Sequence, residues 1–403
     1  MSIPPVLPYL PQDLFSASNG LLNVPQVLIA PARYIQGSAV LSQLARYLAL
    51  VPCKHPALLL SAGYLQRNGK PLLQQLHNAG LDAVTLPFNG ECSTEEVARI
   101  VALLQSDYPS VDAIVALGGG KCLDAGKCVA YRLGLPMVSC PSIASSDAPC
   151  SALSVMYQPD GAFSGVEFFP HSPALVVVDT QLVANAPVRY LVAGMGDAMA
   201  TWYEARTCYQ NPVALSTLGA RPTLAAKALG ECCAKTLFAD GLAAVQAVQD
   251  NSVTEALERV VEANTLLSGI GFESGGLAVA HAIAQGLTVI PAIHQQYLHG
   301  EMVAMGLLTQ LVLEQQLAEA QQVAEFFAHL GLPIHLGQLS LLKQDINARQ
   351  AIVDSAMSLA FIHNEPFSVT SALLLIALEQ ASDLGLAVAA QLGDAAYRRL
   401  QDL

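Results

Sequence analysis

Hydrophobic and polar positions follow two different rhythms along this chain. In the first half, short apolar runs bounded by Gly, Pro, Ser or Asp fall at 26–30, 57–61, 83–87, 113–117, 137–140 and 175–178. Runs of this length, rich in Val, Ile and Leu, predict buried strands. Between them, apolar residues recur at three- and four-residue spacing over 38–50, 70–79, 94–105 and 125–133, which predicts helices. Strand alternating with helix implies an α/β, Rossmann-like domain with a mostly parallel sheet. After Asp179-Thr180 the β-branched runs nearly vanish. Ala and Leu then recur at helical spacing over 223–237, 241–250, 252–268, 276–290 and 300–319, predicting an all-α domain. The resulting division is an N-terminal extension (1–24), an α/β domain (25–185) and a helical domain (186–403). The active site is expected in the cleft between the last two.

Composition narrows the class. Of 403 residues, 53% are hydrophobic and only 13% charged, so much surface must be covered, and a homo-oligomer is expected. No stretch of eighteen or more residues lacks polar groups and turn signals, which predicts no transmembrane helix. The Pro- and Ser-rich start has no basic region followed by an apolar core, so it does not read as a secretory signal. Nine cysteines without C-x-x-C spacing fit a reduced, cytoplasmic protein. A net charge of −13 disfavours nucleic acid and anionic membrane as partners and leaves a small molecule.

Two stretches carry candidate chemistry. The first is Gly118-Gly119-Gly120-Lys121, between the apolar run 113–117 and an amphipathic segment. Glycines let the backbone approach a bulky anion and aim N–H groups at it from the positive end of a helix, and Lys121 adds a point charge. A phosphate-bearing cofactor is the functional reading; a mere tight connection is the alternative. The spacing is neither a Walker loop nor Gly-x-Gly-x-x-Gly, because Leu123 stands where a third glycine belongs. The second stretch supplies Asp197, His281 and His299. A carboxylate and two imidazoles suit a catalytic divalent cation with one open position. Their spacing contains no i,i+4 pair. Singly, Asp197 reads equally as a helix cap, and each histidine as a core or surface residue.

The text is most specific at Gly118–Lys127 and at Pro141-Ser-Ile-Ala-Ser-Ser-Asp147-Ala-Pro-Cys-Ser151-Ala-Leu-Ser-Val-Met-Tyr157. With Arg33–Gly37, Phe88–Ser93, Gly194–Ala198, Gly271–Ala278 and His299–Glu301, it closely resembles the glycerol dehydrogenase family. These are metal-dependent alcohol dehydrogenases related in fold to dehydroquinate synthase. The resemblance implies one zinc per subunit on Asp197, His281 and His299, and NAD as cofactor. It implies a pyrophosphate turn at Gly118, Gly119, Gly120 and Lys121. Nicotinamide and ribose contacts fall on Ser142, Ser145, Ser151, Leu153 and Tyr157, and a catalytic, substrate-side carboxylate on Asp147. It also implies oxidation of small 1,2-diols and a homo-oligomer, often an octamer. Iron-dependent cousins carry a His four residues after the ligand Asp; Thr201 stands there, which favours zinc. Two departures are visible. The end of the second strand lacks the usual acidic residue, there being no Asp or Glu from 55 to 81, and Arg67 follows. NADP use beside NAD is therefore expected. Ala284-Gln285 replaces the His-Asn common after His281.

Rival readings follow from the same residues. A 2-hydroxycarboxylate dehydrogenase of the same family would lack the carboxylate at Asp147, which would repel an acid. A dehydroquinate synthase-like lyase or sugar-phosphate enzyme would need basic residues near the metal ligands. Between 197 and 310 there are only Arg206, Arg221, Lys227, Lys235 and Arg259. A non-catalytic oligomeric scaffold would need no metal. Asp147 alternatively caps a turn. His294 is either a proton outlet or a surface histidine. Glu273 and Glu301 are either imidazole partners or helix-end carboxylates.

Overall fold

A computed structural model describes residues 8–16 and 23–401. The apolar runs form the strands β1 (Tyr34–Gly37), β2 (Pro56–Ser61), β3 (Val84–Phe88), β4 (Ala113–Gly118), β5 (Met137–Pro141) and β8 (Leu175–Asp179). They make one sheet in the order β1-β8-β5-β4-β2-β3, parallel throughout. Parallel strands need long crossovers, and helices Ala62–Asn78, Thr94–Asp107 and Gly120–Leu133 supply three of them. Apolar clusters cover both faces of the sheet, which is why β4 and β8 are buried along their whole length.

The run at 26–30 is not a strand. Pro25 and Pro31 bracket it, and Gln26 makes a single bridge to Arg221 while Ile29 N–H donates to Ser274 Oγ. This segment is tied to the helical half, and the edge position of the sheet goes to β1. The predicted 38–50 helix is broken. Ala39 is left-handed, and a short 3-10 turn, Val40–Gln43, precedes the helix Leu44–Leu48. A further antiparallel hairpin, β6 (Leu153–Tyr157) and β7 (Phe163–Phe168), stands apart from the main sheet. Its turn contains Asp160-Gly161, with Gly161 at φ +90 and Asp160 Oδ1 accepting from Ala162 N–H.

The second half is helical. Leu224–Gln249 is a single helix, through Gly241. A β-carbon there would stand 2.9 Å from the Phe326 ring, so this glycine serves packing and does not end the helix. The run from 255 continues to Gly275 through a π turn at Ala263–Leu267. Helix His299–Leu313 ends at a left-handed Gln315, and Leu317–Leu330 begins anew. Helix Ser371–Leu392 is long and apolar enough by composition to cross a bilayer. Leu374, Ala377, Leu378 and Ala381 on one of its faces are buried in the helical core.

Part of the predicted N-terminal extension is described. Tyr9 bridges to Phe168 of β7, and Gln12 Nε2 donates to Thr217 O of the helical half. The rest of it, 1–7 and 17–22, lies outside the described residues. All nine cysteines are free.

Candidate active site

A cavity of about 1620 Å³ opens where the carboxyl ends of the strands face the helical half. Ser61, Gly119 and Gly120 line one wall and His281 and His299 the other. On the sheet side the chain turns from β4 directly into helix Gly120–Leu133, with Gly119 as a cap lacking any side-chain bond. The first turn of a helix has N–H groups without intrahelical partners, and here they open on the cavity wall. Gly118 is sterically required, since a β-carbon there would stand 2.6 Å from Cys122 Cβ. On Gly119 it would meet the end of the Ile143 side chain at 3.2 Å, and on Gly120 the Ser146 hydroxyl at 3.3 Å, contacts that are tight but yield by a few tenths of an ångström.

Of the sequence-predicted contacts, Gly119, Gly120, Lys121, Ser145, Asp147, Ser151, Leu153 and Tyr157 line this cavity. Gly118 and Ser142 lie behind it, Ser142 N–H donating to Gly118 O at 2.9 Å. They shape the turn. Lys121 Nζ donates to both Glu91 oxygens, at 2.6 and 2.7 Å, and lies 4.5 Å above the Tyr157 ring.

Sequence reading missed a buried ion pair beside the turn. Lys127 Nζ is 2.9 Å from Asp124 Oδ1 and also donates to Ser151 Oγ and Leu153 O. Asp124 Oδ2 accepts from Val155 N–H. This pair fastens the glycine-turn helix to β6. It was signalled only by an i,i+3 charge spacing inside an otherwise apolar helix.

The opposite wall brings the three candidate ligands together. Asp197 is in the middle of helix Val188–Gln210, so it is not a cap. His281 is on Val279–Leu287, and His299 begins His299–Leu313. Small residues make the meeting possible. A β-carbon on Gly300 would stand 1.8 Å from Ala193 O, and one on Gly196 2.4 Å from Gly300 O. The two helices therefore touch backbone to backbone beside Asp197 and His299. Asp197 Oδ1 lies 3.4 Å from His281 Nε2 and 3.4 Å from His299 Nε2. One donor atom from each residue falls within 4.8 Å of the others.

The cluster's electrostatics suit a cation. Both Asp197 oxygens are buried without a hydrogen-bond partner, an arrangement that costs free energy unless something positive sits there. Burial opposes the Asp197 charge, but the facing His299 and His281 rings outweigh it and hold its pKa below the ordinary value. His281 is fixed by Glu204, which sequence reading missed. Glu204 Oε2 is 2.5 Å from His281 Nδ1, and Oε1 accepts from the Ala278 and His281 N–H groups. Burial disfavours charge on His281, yet the Glu204 carboxylate more than compensates, and its pKa rises well above the usual imidazole range. With Nδ1 engaged, Nε2 faces Asp197. Glu204 lies seven residues after Asp197, on the same face of one helix, which was the available signal.

The remaining candidates divide. Glu301 accepts from Leu298 N–H and pairs with Arg189, so it anchors the start of the helix that carries His299. Glu273 accepts the Ala152 N–H with both oxygens and bonds neither imidazole; burial raises its pKa to about 7. Thr201 is hydrogen-bonded to Ser268 at 2.8 Å. His294 Nε2 is 2.7 Å from Gly161 O, tying the β6–β7 turn to the helical half. Asp147 reaches the cavity surface, but its low-dielectric surroundings and then the Asp197 charge raise its pKa well above the carboxylate range.

Known proteins resemble this chain over most of its length. Residues 31–180 match the family described as iron-containing alcohol dehydrogenase. A glycerol dehydrogenase of Escherichia coli is 43% identical over 364 residues, covering 89% of this chain and 97% of the relative. One from Thermotoga maritima is 42% identical over 361 residues, covering 89% and 97%. The crystal structure of glycerol dehydrogenase from Schizosaccharomyces pombe superposes with a TM-score of 0.85 at 33% identity, covering 91% of this chain and 93% of that one.

Proposed function

Because this chain belongs to the glycerol dehydrogenase family, we propose that it is a zinc-dependent oxidoreductase moving a hydride between a small vicinal diol and a nicotinamide dinucleotide. That it is an alcohol dehydrogenase follows from relatives 42–43% identical over nearly its whole length. The observation that carries the finer reading is the pair of facing walls. A glycine turn suited to pyrophosphate stands across one cavity from a carboxylate and two imidazoles within ligation reach of a common point.

The residues fit a divalent ion. Asp197 offers two oxygens with no hydrogen-bond partner, and His281 and His299 each turn Nε2 toward it. Three protein ligands with an open position are the zinc pattern. A fourth ligand from Thr201 is disfavoured by its bond to Ser268. When bound, the metal supplies a Lewis acid for a substrate hydroxyl, and the nicotinamide a hydride acceptor or donor.

The protein's own groups do the positioning. The Gly119-Gly120 turn and Lys121 hold the dinucleotide phosphates, Lys121 having a third N–H beyond the two that Glu91 accepts. Ser145, Ser151, Leu153 and Tyr157 shape the nicotinamide end. Glu204 keeps the proton of His281 on Nδ1. Asp147, whose surroundings oppose its charge, presents its carboxyl group to the second hydroxyl of a diol. Surroundings that oppose its charge weaken any repulsion of an acid, so the preference for a neutral diol rests on the relatives. Exposed Leu373, Ile376 and Leu386 on the outer face of Ser371–Leu392 support a homo-oligomer.

A panel of glycerol, 1,2-propanediol, 2,3-butanediol and 2-oxo acids, each with NAD(H) and NADP(H), tests the reading. Turnover of the diols is expected. Turnover of 2-oxo acids alone would overturn the substrate class.

A further inference from the structure

Resting on the dinucleotide reading above, we propose that the end of β2 accepts the 2′-phosphate of NADP, with Arg67 as the residue that binds it. The glycine turn follows β4, and β2 is its neighbour in the sheet, Leu60 pairing with Leu117. The two strand ends touch: a β-carbon on Gly118 would stand 3.1 Å from Ser61 Cβ. In doubly wound sheets the adenosine ribose of a dinucleotide lies over the end of the strand beside the glycine turn. An acidic residue there receives the ribose 2′-hydroxyl, or a basic residue receives a 2′-phosphate. The cavity extends over this end, lined by Ser61, Ala62, Leu65 and Gln66.

No carboxylate belongs to this region, since 55–81 contains no Asp or Glu. Glu91, after the neighbouring strand β3, is engaged by Lys121. Arg67 is exposed, and its guanidinium folds back over the first helical turn, 3.3 Å from where a Gly63 β-carbon would be. Glycine at 63 leaves room for this fold. The ion pairs among the described residues engage Arg99, Arg132 and Arg189 but leave Arg67 out. A planar guanidinium suits a phosphate dianion bidentately, and no acid here repels that dianion.

Calorimetric titration of NADP+ and NAD+ into the wild type, R67Q and A62D, needing no turnover, tests this. The wild type should bind NADP+ at least as tightly as NAD+. R67Q should lower the NADP+-to-NAD+ affinity ratio at least tenfold. A62D places a carboxylate on the cavity wall, at a helix start where Asp is locally favourable, and should shift the ratio at least tenfold the same way. Wild-type binding of NAD+ tenfold tighter than NADP+, or a ratio unmoved by both variants, would overturn the inference while leaving the proposed function intact. Binding of neither nucleotide would overturn both.

Discussion

Replacing Gly300 by Ala should separate the three proposed metal ligands without touching any of them. The added β-carbon would stand 1.8 Å from Ala193 O and 2.6 Å from Ala193 C. A carbon–oxygen contact needs about 3.3 Å, so helices Val188–Gln210 and His299–Leu313 must part by about 1.5 Å. Both obstructing atoms are backbone, and no rotamer change relieves them. His299 precedes the substituted residue, and Asp197 lies four residues after Ala193, so the displacement falls on their 3.4 Å approach. Coordination tolerates about 0.2 Å. Losing His299 as a ligand should weaken zinc binding by at least ~100-fold, more than is typical of a change one shell out. Overpacking should also lower stability by about 3 kcal/mol. The two effects are separated by a control, G385A, whose β-carbon would stand 1.6 Å from Ile334 O, where helix Ser371–Leu392 meets the loop after Leu317–Leu330. Metal content after dialysis against a chelator, read beside thermal melts, is the assay. Both variants should melt early, and only G300A should lose its metal. Retention of zinc by a folded G300A at the parent affinity would refute the reasoning.

Further outcomes follow from the same geometry. Glu204→Gln keeps an acceptor for the Ala278 N–H but removes the charge beside His281. Zinc affinity should fall 10–100-fold in a chelator competition, and no change would mean Glu204 does not support the ligand. Glu273 is almost fully buried, with its pKa raised from 4.5 to about 7. A raised carboxyl pKa means the folded state binds the proton more tightly, so its contribution to stability is lost as pH rises through that interval. The loss is on the order of 3 kcal/mol. E273Q should abolish it, so the variant should gain on the wild type between about pH 5 and pH 8 in urea melts. A difference independent of pH would contradict this.

Much of the architecture was legible because burial on both faces of a parallel sheet leaves unbroken apolar runs, as at 113–117 and 175–178. The run at 26–30 misled because composition cannot distinguish a strand from an extended segment docked on another domain; its flanking prolines were the discriminating sign. The β6–β7 hairpin escaped notice because Leu153–Tyr157 alternates only partly, although Asp160-Gly161 is a turn signal. In the site, glycines carried more than they first disclosed. Gly118–Gly120 marked the turn proposed for phosphate, whereas Gly196 and Gly300 gave no sign of the backbone contact that they permit across more than a hundred residues. Convergence of Asp197, His281 and His299 depends on that tertiary contact, and sequence spacing could not supply it. Glu204 was visible in principle, at i+7 from Asp197. Its role required knowing where His281 lay.

The most direct test of the account is anomalous X-ray scattering from crystals of the protein measured across the zinc edge. A single zinc peak is predicted, within about 2.0–2.2 Å of an Asp197 oxygen and of Nε2 of both His281 and His299. An iron signal at that point, or no metal between those three side chains in protein that turns over its substrate, would contradict it.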